Sequence, residues 1–489
     1  MLAVVLQELG NRPKLDATNL LLQKLDSDIP AVRATAIAVL GKRKSAEAAS
    51  RVTPLLKDAV PQVQEAAAVA AGQLAVHEAA PLLLNLAKSE NRSVQRASLE
   101  SLRTLKVDSA VRIATAAINH PETQLVALNY LNDFGNRTQA AKVFKMASTS
   151  RSSEVLAAVV KVLTTWRLRE KPGSNNWKRL DRTIQRVQGQ SGILLDWSVL
   201  PAVTAEEAAK KIENQTISLQ AGWSRKLAAG SDAVVQMISA ESALDDSVNL
   251  AVAEVIVEQP TSVEFLGSSN GRLQVWLNGK SIFKRDKPGK FRPNTDKFQA
   301  ALSKGTNRIL LKTESGTDVR FHLHFRRKSS KAEHEQLTQL ALSGKGSVTR
   351  GRETFLNAEK SQCIKCHRLG DKGGKIGPDL AGIGSRFSRI HIIESILEPS
   401  RTVAPSYGSM VVVLKSGKVI TGVKVSETAG VLKLGDNQGK THDISKADIE
   451  EMQTQKQSIM PEGLEKKLTD REFIDLLAFL LSQKKLKTK

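Results

Sequence analysis

Cysteine is almost missing: the 489 residues hold two, Cys363 and Cys366, both in one pentapeptide. A disulfide framework spread along the chain is thereby excluded. Long apolar runs are missing too. No stretch reaches the roughly 18 consecutive apolar residues that a membrane span needs. The opening MLAVVLQELGNRPK has neither the basic start nor the small-residue cleavage site of a secretion signal. Aromatic residues are scarce, at 4%, and no nucleic-acid motif is present. The 72 Lys and Arg against 50 Asp and Glu, a formal charge of +22, therefore do not read as a nucleic-acid footprint. The basic residues are spread along the whole length, which fits a solvated surface or one that attracts an acidic partner protein.

The length suits about three or four domains, and 41% hydrophobic residues give them cores. Residues 1–168 repeat. Val32, Val63 and Val94 stand 31 positions apart and open similar stretches, VRATAIAVL, VQEAAAVAA and VQRASLESL, with Ala36, Ala67 and Ser98 keeping the register. The series continues more loosely at Leu125 and Val155. A fixed period of this size predicts an α-solenoid of stacked helix pairs, and the PxVR at Pro30, Val32 and Arg33 resembles HEAT repeats. Shifted back one period, Met1 falls inside a repeat, so the N-terminus is expected to be truncated.

At 169–190 the periodicity fades into EKPGSNNWKRLDR, which reads as a polar linker. The period then changes to two. Over 191–328, runs such as LQVWLNGKSIF and NRILLKTES, broken by Asn-Gly and Ser-Gly turns, predict a β-sandwich without interleaved helices. GRLQVWLNGK followed by LSKGTNRILLKT resembles the jelly-roll modules of secreted carbohydrate-active and haem proteins. Trp276 reads as sandwich core ahead of a sugar-stacking residue, and a glycan or protein ligand for the N-terminal domains is left open. A helical connector, 329–346, carries His334 as a surface residue.

The two cysteines fall in Cys363-Ile364-Lys365-Cys366-His367. This C-x-x-C-H spacing sets two thiols a turn apart beside a histidine, the arrangement that attaches a c-type haem and presents an iron ligand. Zinc would need a further ligand such as His391 or His442. A thioredoxin-like pair should follow a buried strand, whereas RGRETFLNAEKSQ reads as a helix. A second axial ligand is expected downstream. Met410 lies in an alternating strand and Met452 ends an acidic helical stretch, ADIEEM; both read as packing residues. Met460 sits in a loop fixed by Pro461 and Gly463 and is the expected ligand. Thr469-x-x-Glu472 caps a last amphipathic helix, long enough to cross the one carrying Gly351 and Phe355.

The strings RGRETF, CIKCH, GGKIGPDLAGIGSR, ESILEPS and SIMPEGLEKKLTDREFIDLLAFL resemble a class I cytochrome c domain. The closer likeness is to the haem-binding domain of large secreted proteins from planctomycetes and verrucomicrobia. The resemblance covers 347–486, a mostly α domain, and implies one covalent haem c. It also implies that the Pro378 carbonyl accepts a hydrogen bond from His367, with Gly377 allowing the close approach. Strand-like runs at 409–444 read as a small β insert. The multidomain order is thus solenoid, jelly roll and cytochrome c domain. The expected function is one-electron transfer with His367 and Met460 on the iron, a redox partner protein, and a periplasmic or otherwise extracytoplasmic location. Alternatives are the electron-accepting part of a larger secreted dehydrogenase, or a protein- or glycan-binding scaffold.

Overall fold

The computed structural model describes residues 2–10, 12, 15–150, 152–213, 222–238, 248–314, 318–370 and 372–484. The chain divides into two compact units, Met1–Val143 with Thr165–Glu170, and Phe144–Thr164 with Lys171–Lys489. A helical repeat region comes first, and a β-rich region with antiparallel sheets follows.

The first unit is built from α1 (Leu2–Gly10), α2 (Thr18–Lys24), α3 (Pro30–Arg43), α4 (Ala49–Leu55), α5 (Pro61–Gln73), α6 (Ala80–Leu86), α7 (Arg92–Thr104), α8 (Val111–Ala117) and α9 (Gln124–Phe134). From α2 onward a short helix alternates with a long one. Each long helix packs on the next, and Val32, Val63, Val94, Ala36, Ala67 and Ser98 are all buried. Proline opens α3 and α5, where its missing N–H costs no helical bond. Small residues set the spacing: a methyl group on Gly41 would lie 3.1 Å from Ala70 Cα, and one on Gly72 3.2 Å from Ser101 Cα. Lys44, Ala75 and Lys106, again 31 apart, turn the chain after α3, α5 and α7 in the left-handed region, at φ 55°, 56° and 59°. Two further helices, α10 (Ala140–Ala147) and α11 (Ser153–Leu168), carry the chain into the second unit.

From Lys171 the second unit continues with α12 (Asn175–Ser191), which occupies most of the expected linker. Two sheets follow. Strands β1 (Asp196–Val203), β2 (Ser224–Leu227), β3 (Val235–Ile238), β4 (Val248–Val257), β5 (Thr261–Ser269), β6 (Arg272–Leu277), β7 (Lys280–Arg285), β8 (Asp296–Leu302), β9 (Gly305–Glu314) and β10 (Asp318–Arg326) pair antiparallel. The orders are β2-β1-β4-β9-β6-β7 and β3-β10-β5-β8. Aromatic side chains join the sheets, with Trp197 edge-on to Phe321 at 5.1 Å and Phe283 stacked on Phe298 at 4.5 Å. Asn278 and Gly279, at φ 50° and 82°, form the two-residue turn between β6 and β7 that Asn-Gly favours.

The linker is helical because β4 gives it something to pack on. Ser174 caps its first turn, Leu180, Ile184 and Val187 are buried, and Gln188 bonds the Glu254 carbonyl and the Leu195 and Asp196 amides. A helix also interrupts the strands: α13 (Ala205–Glu213) lays Ala208 and Ile212 over Leu200, Leu250, Trp276 and Leu310 on the six-stranded sheet. Trp276 is thus core under a helix, on the face away from the second sheet.

The remainder comprises α14 (Ala332–Ser343), α15 (Val348–Leu356), α16 (Cys363–Cys366), α17 (Ile383–Arg386), α18 (Arg389–Leu397) and α19 (Asp470–Ser482). Its core joins Phe355, Ile393, Phe473, Leu476 and Leu477 to Leu266 of β5. α19 starts with the Thr469–Glu472 capping box. It packs on α15 with Phe355 and Phe479 at 5.5 Å, and a methyl group on Gly351 would fall 1.9 Å from the Asp475 carbonyl oxygen. Only glycine permits that approach. Asp475 accepts from Ser347 N and Arg350 Nε, both at 2.6 Å, fixing the start of α15 to α19.

Between α18 and α19 lies an antiparallel sheet of β strands Met410–Leu414, Val419–Glu427, Val431–Gly435, Thr441–Ser445 and Ile449–Thr454. It runs ten residues past the expected 444. Of ADIEEM, expected to be helical, Ala447 and Asp448 lie in a 3₁₀ turn and the rest opens the edge strand Ile449–Thr454, because pairing Met410–Leu414 satisfies its backbone and outweighs local propensity. Met452 on that edge is half exposed, not a packing residue, whereas Met410 is buried. α15 also ends sooner than expected, at Leu356, where the Asn357 side chain accepts from the Glu359 and Lys360 amides and turns the chain.

Candidate functional site

Cys363 and Cys366 stand at either end of the single turn α16, entered through Gln362 in the left-handed region. His367 leaves the turn in extended conformation, its amide bonded to the Cys363 carbonyl at 2.9 Å. The chain then folds back over the motif. Gly374 N bonds Ile364 O at 3.0 Å, Gly377 N bonds Cys366 O at 2.9 Å and Leu380 N bonds Arg368 O at 2.9 Å. This wrap needs bare backbone: a methyl group on Gly374 would lie 2.0 Å from the Lys365 carbonyl oxygen.

The wrap clamps the imidazole. His367 Nδ1 lies 2.9 Å from the Pro378 carbonyl oxygen. A carbonyl can only accept, so Nδ1 carries the proton and, in the neutral ring, Nε2 carries the lone pair. Burial lowers the His367 pKa, and the Pro378 bond offsets this only in part, so the ring is neutral at physiological pH. Among the described residues Nε2 makes no hydrogen bond. A methyl group on Gly377 would stand 2.7 Å from His367 Cε1 and 2.8 Å from Nδ1, so the ring rests on glycine backbone. Arg368, bridged to Asp379 at 2.8 Å, ties the strand after His367 to the turn after Pro378.

Both thiols are free. Burial raises the Cys363 pKa, and burial followed by the Asp436 carboxylate raises that of Cys366. They are therefore protonated at neutral pH, unlike the low-pKa nucleophile of a thioredoxin-like pair. Cys363 borders the helical core. The β insert covers the other side: Gly435 approaches Ile376 and Gly439 approaches Lys365, while Asp436 accepts from His442 at 2.8 Å. Among the described residues no group of three or more His, Cys, Asp or Glu side chains converges to hold a metal ion. His391 stacks on Phe387 and does not join the cysteines in a cage.

The structure thus brings together Cys363, Cys366, His367, Gly377 and Pro378. Met460 belongs to a different set of bonds. It is half-buried between the edge strand and α19, with its amide on Ser458 Oγ at 3.1 Å and Ser458 N on Ser400 Oγ at 3.3 Å, just past α18. His334, expected at the surface, is buried, with Nε2 3.3 Å from Glu465 Oε1 and Nδ1 3.8 Å from Glu398 Oε1. Nothing in its local sequence signals this; two carboxylates from distant segments create the site.

Residues 3–71 and 18–103 match the family profile of HEAT repeats, so the N-terminal region carries HEAT repeats. Among curated proteins, none matches this chain. Solved structures with local similarity include the CpcE–CpcF complex of phycocyanin lyase from Nostoc, at 17% identity over 37% of this chain and 87% of that one, TM-score 0.26. Escherichia coli YibA matches at 19% identity over 38% and 74%, TM-score 0.27. A Kluyveromyces marxianus β-glucosidase matches at 11% identity over 51% and 35%, TM-score 0.22. At TM-scores this low none of them says what this chain does. Among the described residues no helix is long and apolar enough to cross a membrane.

Proposed function

We propose that this chain is a c-type cytochrome, a one-electron carrier whose C-terminal segment is a class I cytochrome c domain and whose facing sheets are a jelly-roll module. One observation carries the reading. A neutral histidine directly after two free thiols has Nδ1 committed to a backbone carbonyl and its Nε2 lone pair without a protein partner. That is the state an iron-ligating imidazole requires.

The residues present fit the group. Cys363 and Cys366 would hold haem through their sulfurs, and His367 would ligate iron through Nε2. Pro378 fixes the tautomer and would raise the ring's basicity toward metal, Gly377 leaves the ring room, and Met460 would hold the iron through its sulfur. Bound haem supplies one-electron exchange between ferric and ferrous iron. Attachment of haem c takes place outside the cytoplasm in bacteria, which gives the proposed location, and the basic surface favours an acidic redox partner. The HEAT repeats support a second, compatible role as a protein-binding scaffold.

The test is full-length protein matured with haem-attachment machinery. The reading expects haem that stays with the polypeptide through acidic organic extraction and a pyridine haemochrome spectrum of the two-thioether type. Replacing both Cys363 and Cys366 by Ala should release it. Parent protein without covalent haem would overturn the reading.

A further inference from the structure

Met460 sits in a loop that no regular element shapes, yet an axial ligand must be held to a fraction of an ångström. Ahead of Met460, Ser409 exchanges backbone bonds with the loop, donating to the Gln457 carbonyl at 2.9 Å and accepting from the Gln455 amide at 2.7 Å. Among the described residues three ties through side chains reach it from outside as well. Ser458 N meets Ser400 Oγ at 3.3 Å, a long neutral bond. Lys331 reaches Glu462 at 3.3 Å, but both side chains are more than half exposed, and such pairs contribute little. The third is His334 with Glu465, both buried, at 3.3 Å. Among the described residues Glu465 Oε2 has no hydrogen-bond partner, so His334 is the carboxylate's one side-chain contact. A charged acceptor taken from water depends on such a donor far more than an exposed pair does.

The surroundings hold His334 in turn. It lies on α14, where Thr338 Oγ1 bonds its carbonyl at 2.7 Å. Its Nδ1 faces Glu398, which accepts from Ser329 Oγ and from Arg401 Nη1 at 3.1 Å. Glu398 caps α18, two residues before the Ser400 that carries Ser458. Helices α14 and α18 and the 3₁₀ turn Leu464–Lys467 therefore meet at one imidazole, whose partner Glu465 lies five residues after Met460.

Resting on the haem reading above, we propose that His334 is a positioning residue for Met460. By pinning Glu465 it fixes the loop so that the Met460 sulfur stays on the iron. α14 also carries Glu335, bonded to Arg326 of β10, so the β-rich module is joined to the ligand loop through the same helix.

The test compares Met460→Ala, His334→Leu, His334→Gln and the double variant Met460→Ala/His334→Leu in haem-loaded full-length protein. Reduction potential and binding of added imidazole to the ferric form are the readouts. Met460→Ala should lower the potential and open the iron to imidazole. His334→Leu should act in the same direction, tightening apparent imidazole affinity roughly tenfold, the factor set by one charged hydrogen bond. His334→Gln, which keeps a donor, should restore most of the parent behaviour. In the Met460→Ala background, His334→Leu should add nothing.

An equal additional change there, or no effect of His334→Leu in the parent, overturns this inference alone. Parent-like potential and imidazole binding in Met460→Ala overturn Met460 as ligand and leave the covalent haem standing. If His334→Leu does not fold, Glu465→Leu cuts the same bond from the loop side and is read by the same criteria.

Discussion

At the scale of single residues the site is organised by what surrounds His367 rather than by the ring itself. Gly377 is not in a conformation reserved for glycine; its constraint is steric, since an added methyl group would sit 2.7 Å from the imidazole. Gly377→Ala should therefore push the ring off Pro378 while changing little else. The expected result is a loss of about 1–3 kcal/mol in stability of the C-terminal domain, as for other overpacked sites, with a shifted reduction potential in the loaded protein. Denaturant unfolding and redox titration check the two effects separately. CxxCH was legible as a motif and Pro378 through its resemblance. The buried His334 was not, because its partners lie 64 and 131 positions away.

Among elements, two packings govern the second unit. α15 and α19 approach closely at Gly351, and Gly351→Ala should cost about 3 kcal/mol or more because backbone, not a yielding side chain, opposes the methyl group. A lowered unfolding midpoint with haem absorption lost in parallel would show it. β10 places His322 and His324 side by side, rings 5.2 Å apart and both buried. Burial lowers both pKa values, that of His324 to about 4 and that of His322 well below its ordinary value. The unfolded chain therefore takes up protons that the folded chain refuses. Stability is complete above pH about 6.5 and falls as pH drops toward 4, by on the order of 3 kcal/mol through His324 alone. His324→Phe should flatten that slope relative to the parent in denaturation midpoints measured from pH 7 to 4.5; an unchanged slope would count against it.

For the molecule as a whole, the formal charge of +22 governs encounter more than fold. On the proposed electron-carrier reading, exchange with an acidic redox protein should slow by about tenfold or more as ionic strength rises from 10 mM to 500 mM, while exchange with a neutral small-molecule oxidant should barely change. Stopped-flow rates for both partners across that salt series distinguish steering from a general loss of activity.

The sequence by itself determined whatever is written in short-range order. The 31-residue period spaces α3, α5 and α7, Asn-Gly turns β6 into β7, Thr469–Glu472 starts α19, and the pentapeptide joins two thiols to a histidine. In each case the interacting groups are neighbours in the chain or recur at a fixed interval. Tertiary structure decided the rest. It made a helix of the linker by offering β4 as a floor, and a strand of an acidic helical pattern by pairing it with Met410–Leu414. It turned His334 from a surface residue into a buried pivot. Burial and long-range pairing are properties of what arrives from elsewhere in the chain, and no local pattern encodes them.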